Sequence, residues 1–166
     1  MIYVTLGTQK FEFNRVLEYI DNAIETGIIQ QEVCVQAGYS SYNAKNFKVQ
    51  KFIEKDEVEK LIDKSSFIIS HGGSGSMIDA LRIKKKMIII PRDEKYGEHI
   101  DNHQFELVDK FSEKGLILKA NTQDEFFQQL KNIEKFEPND INEILNDGKN
   151  IKNIIDNFIN DNLKKR

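Results

Sequence analysis

The chain of 166 residues has one cysteine, two prolines and no tryptophan, and what it lacks excludes several classes of protein. A lone thiol forms no disulfide within the chain, and the position of Cys34 in an apolar run predicts a small buried hydrophobe in a reducing compartment. No segment approaches the ~20 apolar residues of a membrane-spanning helix. The net charge of −3 gives no general attraction to nucleic acid. We therefore expect a cytoplasmic protein that binds no nucleic acid.

Hydrophobic residues make up 39% of the chain and charged residues 31%, which is typical of one soluble globular domain. Apolar runs alternate with amphipathic segments, and this order predicts an α/β fold, a Rossmann-like doubly wound parallel sheet. The predicted strands are Ile2–Leu6, Val33–Ala37, Phe47–Lys51, Ser66–Ser70, Met87–Ile90 and Gly115–Leu118. The predicted helices are Phe13–Glu25, Glu54–Lys64, Ser74–Ile83, His99–Glu113 and Thr122–Glu134.

Ligands of such sheets lie at the carboxyl ends of the strands. The loops after Leu6, Phe52, Ser70 and Pro91 are therefore predicted to share one crevice.

The last part of the chain has a different pattern from the rest. Isoleucine, leucine and phenylalanine recur at three-and-four spacing from Ile141 to Ile159, which predicts one or two amphipathic helices. We divide the chain into a ligand-binding domain, residues 1–135, and a helical segment, residues 136–166. The apolar stripe of that segment packs either on the domain itself or on a second protein.

A glycine-rich loop joins a buried strand directly to a helix in the middle of the chain. The apolar run 67–69 leads into His71-Gly72-Gly73-Ser74-Gly75-Ser76, and a helical pattern follows at once. Glycine lets a ligand approach the backbone closely, and the first turn of a helix presents amide hydrogens and a partial positive charge. A flexible linker has polar flanks instead. We interpret the loop as an anion site suited to a diphosphate.

Known fingerprints narrow the choice of anion. Residues 73–78 lack the third small residue of the dinucleotide motif GxGxxG, and no Gly-Lys-Ser/Thr of a P-loop follows any glycine. The hydrolase motif GxSxG is nearly met, but Ser76 replaces its last glycine. Because His99 and His103 follow downstream, a hydrolase remains an alternative.

A second polar stretch, residues 91–104, follows the strand at Met87–Ile90. Its carboxylate, amide and imidazole groups suit a sugar, since a site that hydrogen-bonds each hydroxyl discriminates between epimers. Two other interpretations stay open, a metal site on His99 and His103 and an ordinary helix cap at Asp101 or Asn102. The pattern His-Glu-x-x-His is absent, so we expect no metal.

Together these strings resemble the C-terminal, donor-binding domain of glycosyltransferase family 28. The resemblance rests on the run from His71 to Leu81, on Met87-Ile88-Ile89-Ile90-Pro91, and on Glu98-His99-Ile100-Asp101-Asn102-His103-Gln104. The opening residues 4–11 are similar to the stand-alone members, namely the small subunit of the dolichol-linked GlcNAc transferase and its bacterial counterparts in capsule and exopolysaccharide assembly.

The resemblance implies half of a GT-B glycosyltransferase that uses a UDP-sugar as co-substrate, with no tightly bound cofactor. In relatives, the loop and helix start hold the diphosphate, an acid on that helix binds the ribose, a Phe-Ile backbone meets the uracil, and other polar groups face the sugar or the acceptor. The residues implied as donor-binding are Thr8, Gln9, Phe52, Ile53, His71, Gly72, Gly73, Ser74, Gly75, Ser76, Asp79, Asn102, His103 and Gln104. His99 is the candidate catalytic base, unless the base lies on another subunit or His99 only orients the sugar.

A membrane-associated subunit is expected to supply the acceptor site, to recruit this chain to the inner face of the membrane, and to present a lipid-linked saccharide. The Lys, Ile and Asn content of the tail favours a bacterial enzyme that transfers galactose. The alternatives are the dolichol-pathway type, which uses UDP-GlcNAc, and a non-catalytic module that binds a nucleotide sugar.

Overall fold

A computed structural model describes residues 1–142, and of Ser76 and His103 it describes the backbone alone. The strands are β1 (Ile2–Thr5), β2 (Val33–Gln36), β3 (Val49–Gln50), β4 (Phe67–Ser70), β5 (Met87–Ile89) and β6 (Leu118–Lys119). The helices are α1 (Asn14–Glu25), α2 (Lys55–Lys64), α3 (Ser74–Arg82), α4 (His103–Glu113) and α5 (Gln123–Asn132), with a 3₁₀ turn at Glu94–Tyr96.

The six strands form one sheet in the order β3-β2-β1-β4-β5-β6, and all of its pairs are parallel. In the centre, Val4 of β1 lies beside Val35 on one side and Ile69 on the other. The order reverses between β1 and β4, which is the topological switch point of a doubly wound sheet. The predicted fold class is confirmed.

The central strands β1, β4 and β5 contribute alternate residues to two separate cores, one on each face of the sheet. Val4 and Ile69 point to the face covered by α1 and α5, whereas Tyr3 and Ile68 point to the face covered by α3 and α4. Helix α2 has no fully buried residue and packs on this second face through partly buried side chains. Because buried apolar side chains each contribute about 1.5–3 kcal/mol, these two layers hold the strand ends in fixed positions.

Several predicted boundaries were wrong. The third strand is reduced to Val49–Gln50, and the last begins at Leu118 because Gly115, with φ +65°, first ends helix α4. Helix α4 begins at His103 instead of His99. The residues before it form the 3₁₀ turn and an irregular stretch that buried contacts hold in place.

The first residues of the predicted C-terminal segment pack on the domain. The backbone N–H of Asn139 donates to the Gly115 carbonyl at 3.0 Å, and the Asp140 carboxylate pairs with Lys84 at 3.0 Å. Ile141 is fully buried in the second core. The rest of the stripe, residues 144–159, lies outside the described residues, so the boundary at residue 135 stays a prediction. None of the helices within residues 1–142 has the length and apolar character needed to cross a membrane.

Candidate functional site

The candidate site lies at the carboxyl end of the sheet, around the switch point between β1 and β4. Loops after β1, β3, β4 and β5 meet there, as the sequence predicts. Three side chains hold them together: His71 joins the loops after β1 and β4, Gln36 joins β1 to the loop after β3, and Arg92 joins the loops after β1 and β5.

The glycine loop and the start of α3 form one wall of this site. Residues 71–73 connect Ser70 to Ser74, the first residue of the helix, and the N-cap residue Gly73 offers no side-chain cap. The first turn carries no acidic side chain. Amides in the first turn of any helix have no acceptor within it, and the helix dipole adds positive charge there. The arrangement suits an anion, as the sequence predicts.

Space around the loop glycines differs sharply from one to the next. Gly72 has φ +84°, and a Cβ there would lie 2.8 Å from Val108 Cγ2, so the residue is required by the fold. A Cβ on Gly75 would meet no atom within 4 Å. The backbone at Gly75 is therefore open on the side where its side chain would stand.

His71 is a buried wedge between two loops. Its Nδ1 lies 3.3 Å from the Thr5 carbonyl oxygen, which can only accept, so Nδ1 carries the proton. A Cβ on Gly7 or on Gly73 would lie 2.6 or 2.5 Å from Nε2. Burial, helped by the charge of Arg92, lowers the pKa of His71 to about 4. The imidazole is thus neutral near pH 7 and fixes the spacing of the loops that begin at Gly7 and His71.

The loop after β1 carries two predicted donor-binding residues. Gly7 turns the chain with φ +79°, Thr8 is exposed, and Gln9 is partly buried. Gln9 Oε1 and Ser70 Oγ are buried and have no hydrogen-bond partner among the described residues. Buried polar atoms normally have partners, so these two are suited to a polar ligand or to water.

Phe52 and Ile53 lie between β3 and α2, beside the site. The Ile53 amide donates to Gln36 Oε1 at 3.0 Å, and Gln36 Nε2 contacts Thr5 Oγ1 at 3.4 Å. Phe52 is 53% exposed, and the edge of its ring packs against Tyr39 at a centroid distance of 5.4 Å. A base that binds this backbone must therefore use a group other than the Ile53 amide. Gln36 was not foreseen.

Two predicted sugar-binding side chains of the polar row after β5 hydrogen-bond to backbone amides of the same row. Gln104 is buried and accepts from the Arg92 amide at 3.4 Å, while the exposed Asn102 accepts from the Glu94 amide at 3.0 Å. The side chains of His103 and Ser76 lie outside the described residues, so their predicted roles stay predictions.

His99 precedes helix α4 and packs against the Phe11 ring at a centroid distance of 5.9 Å. Its Nδ1 lies 3.1 Å from both the carbonyl oxygen and Oδ1 of Asp101. A carboxylate against one ring nitrogen fixes the orientation of the other, as in many general bases. Because His99 is not helical, the shared helical face with His103 is wrong. No cluster of three metal-ligating side chains occurs in the described part of the chain.

Asp79 stands on the outer side of α3, where it is exposed and lies 3.7 Å from Arg82. Nothing described connects it to the loops of the site. Its assignment to the ribose stays a prediction.

Sequence reasoning also missed a buried group of charges behind the polar row. Glu98 accepts from Arg15 through both carboxylate oxygens at 2.8 and 2.9 Å, and Arg92 is buried beside it. The sequence feature that could have indicated this group is the charged residue Arg92, which directly follows the strand end Ile90-Pro91.

Comparison with known proteins gives a consistent result. The profile of the family "Glycosyltransferase family 28 C-terminal domain" matches residues 1–158. A Debaryomyces hansenii protein named UDP-N-acetylglucosamine transferase subunit ALG13 is 31% identical over 93 residues, 56% of this chain and 42% of that protein. Its Saccharomyces cerevisiae namesake is 38% identical over 71 residues, 42% of this chain and 33% of that protein. The matched region thus spans less than half of either relative.

Solved structures agree on the fold. An NMR structure of ALG13 has a TM-score of 0.54 at 23% identity, and the match covers 82% of this chain and 87% of that one. The calicheamicin glycosyltransferase CalG4 has a TM-score of 0.55 at 11% identity, covering 98% of this chain and 38% of that one. At such identities the likeness supports the architecture alone.

Proposed function

Since this chain belongs to the glycosyltransferase family 28 C-terminal domain family, we propose that it is the donor-binding subunit of a UDP-sugar glycosyltransferase. The observation that carries the proposal is the open start of α3 at the switch point of the sheet. There a glycine loop and a helix N-terminus without a side-chain cap lie at the same end of the sheet as the unpartnered Gln9 Oε1 and Ser70 Oγ. A diphosphate fits the helix end, and hydroxyl-rich groups fit the polar atoms around it.

The donor we propose is UDP-N-acetylglucosamine. The two relatives described above are named as subunits of a UDP-N-acetylglucosamine transferase, and both come from yeasts. The sequence-based preference for galactose and for a bacterial capsule or exopolysaccharide enzyme finds no support in these comparisons. We therefore propose the alternative given above, the dolichol-pathway type that uses UDP-GlcNAc.

In the proposed reaction an acceptor hydroxyl attacks the anomeric carbon while the bond from that carbon to the UDP oxygen breaks. The leaving diphosphate gains negative charge, and the first turn of α3 stabilises it without a metal. In this proposal His99 takes the hydroxyl proton, because the Asp101 carboxylate lies against its Nδ1 and holds the ring in one orientation. Attack opposite the leaving group inverts the anomeric configuration.

The acceptor site belongs to a partner in this proposal. Enzymes of the GT-B type place acceptor and donor on two facing domains, whereas residues 1–142 form a single sheet. We propose a membrane-associated partner that binds a lipid-linked saccharide and draws this cytoplasmic chain to the inner face of the membrane.

Calorimetry on the full chain tests the donor. We expect UDP-N-acetylglucosamine and UDP to bind, uridine to bind more weakly because it lacks the diphosphate, and UDP-galactose to bind more weakly than the GlcNAc donor. No heat from any uridine diphosphate compound, with and without the co-expressed partner, refutes the proposal.

Transfer of labelled sugar to lipid, measured with the chain alone and with its partner, tests the catalytic part. We expect product only when both are present. Binding without transfer in the complex favours the non-catalytic module instead.

A further inference from the structure

Arg92 is the largest side chain that is fully buried, with 1% of its surface exposed. Its Nη2 donates to the Leu6 carbonyl at 2.6 Å, and its Nη1 donates to the carbonyls of Phe11 and Glu98 at 3.1 and 3.0 Å. The guanidinium also lies over the Phe13 ring at 4.9 Å. The Arg92 guanidinium thereby connects both ends of the loop after β1 to the loop after β5 through hydrogen bonds.

Within residues 1–142, Arg92 has no ion pair of its own. The nearest acid, Glu98, gives both carboxylate oxygens to Arg15, and one of them also accepts from the Asp93 amide at 3.0 Å. Glu98 itself accepts from Arg92 only through its backbone carbonyl. Two cations therefore share one carboxylate, and the cluster of Arg15, Glu98 and Arg92 has a net charge of about +1. A buried charge is costly unless something compensates it.

Arg92 is connected to the proposed diphosphate site through the loop after β1. Leu6, which accepts from Arg92, precedes Gly7, and Gly7 touches the His71 ring that also lies against Gly73. The Arg92 charge also reaches the imidazole, where it helps to lower the pKa of His71. In addition, Arg92 Nε is buried and lacks a hydrogen-bond partner among the described residues.

We propose that Arg92 is a positioning residue of the donor site, which holds the loop after β1 in place and supplies the buried positive charge that attracts the donor's diphosphate. This inference rests on the proposed function. It assigns to Arg92 an action through the Gly7 loop rather than direct contact with the ligand. The expected signature is a dependence on phosphate charge, because a purely structural residue would affect all uridine ligands alike.

Variants at position 92 separate charge from packing. We expect Arg92→Met to weaken UDP binding about tenfold and uridine binding less than about threefold, since charges within about 10 Å interact appreciably inside a protein. Arg92→Lys keeps the positive charge but loses the planar guanidinium that donates through two nitrogens. It should bind UDP more tightly than Arg92→Met but less tightly than wild type. Lys114→Met removes an exposed charge at the opposite edge of the sheet and should leave both affinities unchanged.

A measurement on the wild-type chain covers the case in which Arg92→Met does not fold. The Arg92 Nε–H resonance should shift when UDP is added and stay in place with uridine. If wild type binds no uridine diphosphate, the proposed function fails. If wild type binds UDP, but the Nε–H signal stays unchanged or the variants lose UDP and uridine affinity equally, the role of Arg92 is overturned while the function stands.

Discussion

Replacing Gly75 by alanine separates a glycine kept for a ligand from one kept for the fold. Gly75 lies in the first turn of α3 with ordinary backbone angles, and a Cβ there meets no protein atom within 4 Å. Glycine in a helix costs roughly 0.5–1 kcal/mol relative to alanine. Gly75→Ala should therefore stabilise the chain by up to about 1 kcal/mol, which raises Tm by about 2–4 °C for a domain of this size.

The same methyl group would stand where the diphosphate approaches the helix. We expect Gly75→Ala to weaken UDP binding by about tenfold, because displacing the phosphate from the first amides lengthens its hydrogen bonds. Urea denaturation and calorimetry on one preparation measure the two effects together. A variant that is more stable and binds UDP as wild type does would refute the assignment of the loop.

Gly73→Ala, two residues earlier, is the matched control. Its Cβ would lie 2.5 Å from His71 Nε2, so the imidazole or the loop must move. Overpacking of this kind costs about 1–3 kcal/mol. Gly73→Ala should thus lose stability, in contrast to the gain at Gly75. If the two variants change stability in the same direction, the geometry of the loop is wrong.

Three further predictions concern stability and catalysis. The His71 side chain is neutral in the folded chain near pH 7, but it takes up a proton more readily in the unfolded chain. The free energy of unfolding should therefore fall by up to about 3 kcal/mol between pH 6.5 and pH 4. Urea titrations at stepped pH should show this slope in wild type and a flatter slope in His71→Gln. Asp21→Ala removes the acceptor for the amides of Lys45 and Asn46 and should cost about 2 kcal/mol, with faster hydrogen exchange at both amides, whereas unchanged exchange would contradict the role of Asp21. His99→Ala should lower kcat of the complex by about 10²–10⁴ with little change in KM, and a rise in KM alone would assign His99 to sugar binding.

The sheet was predictable because its signals are local. Runs such as Phe67-Ile68-Ile69 are buried on both faces, and continuous apolar runs of this length mark the strands of a parallel sheet. Glycine-rich connections after such runs then locate the carboxyl edge. These two features place Gly7 and His71 at one edge before any coordinate is known.

The start of α4 was less predictable because distant residues decide it. Residues 99–113 have a helical pattern, but Arg92 and Arg15 bind Glu98, and the N-cap residue Asn102 accepts from the Glu94 amide. These contacts hold both ends of the stretch 98–102, which lies outside the helix. Arg15 is 83 residues away from Glu98. The hydrophobic pattern within residues 99–113 cannot predict a contact with a residue so distant in the sequence.

Two buried side chains, one predicted as donor-binding and one that was missed, position the segments that carry the predicted site residues. Thr8, His71 and the row 102–104 lie in three separate loops or, for residues 103 and 104, in the helix that follows one, and loops are less constrained than the strands they connect. His71 and Arg92, both buried, fill the space between those loops and hydrogen-bond to their carbonyls. Polar groups buried in this way are stabilising only when their partners stand in place, so a shift of one loop costs the hydrogen bonds of the next. The rigidity of the proposed donor site therefore comes from polar residues that lie behind its surface.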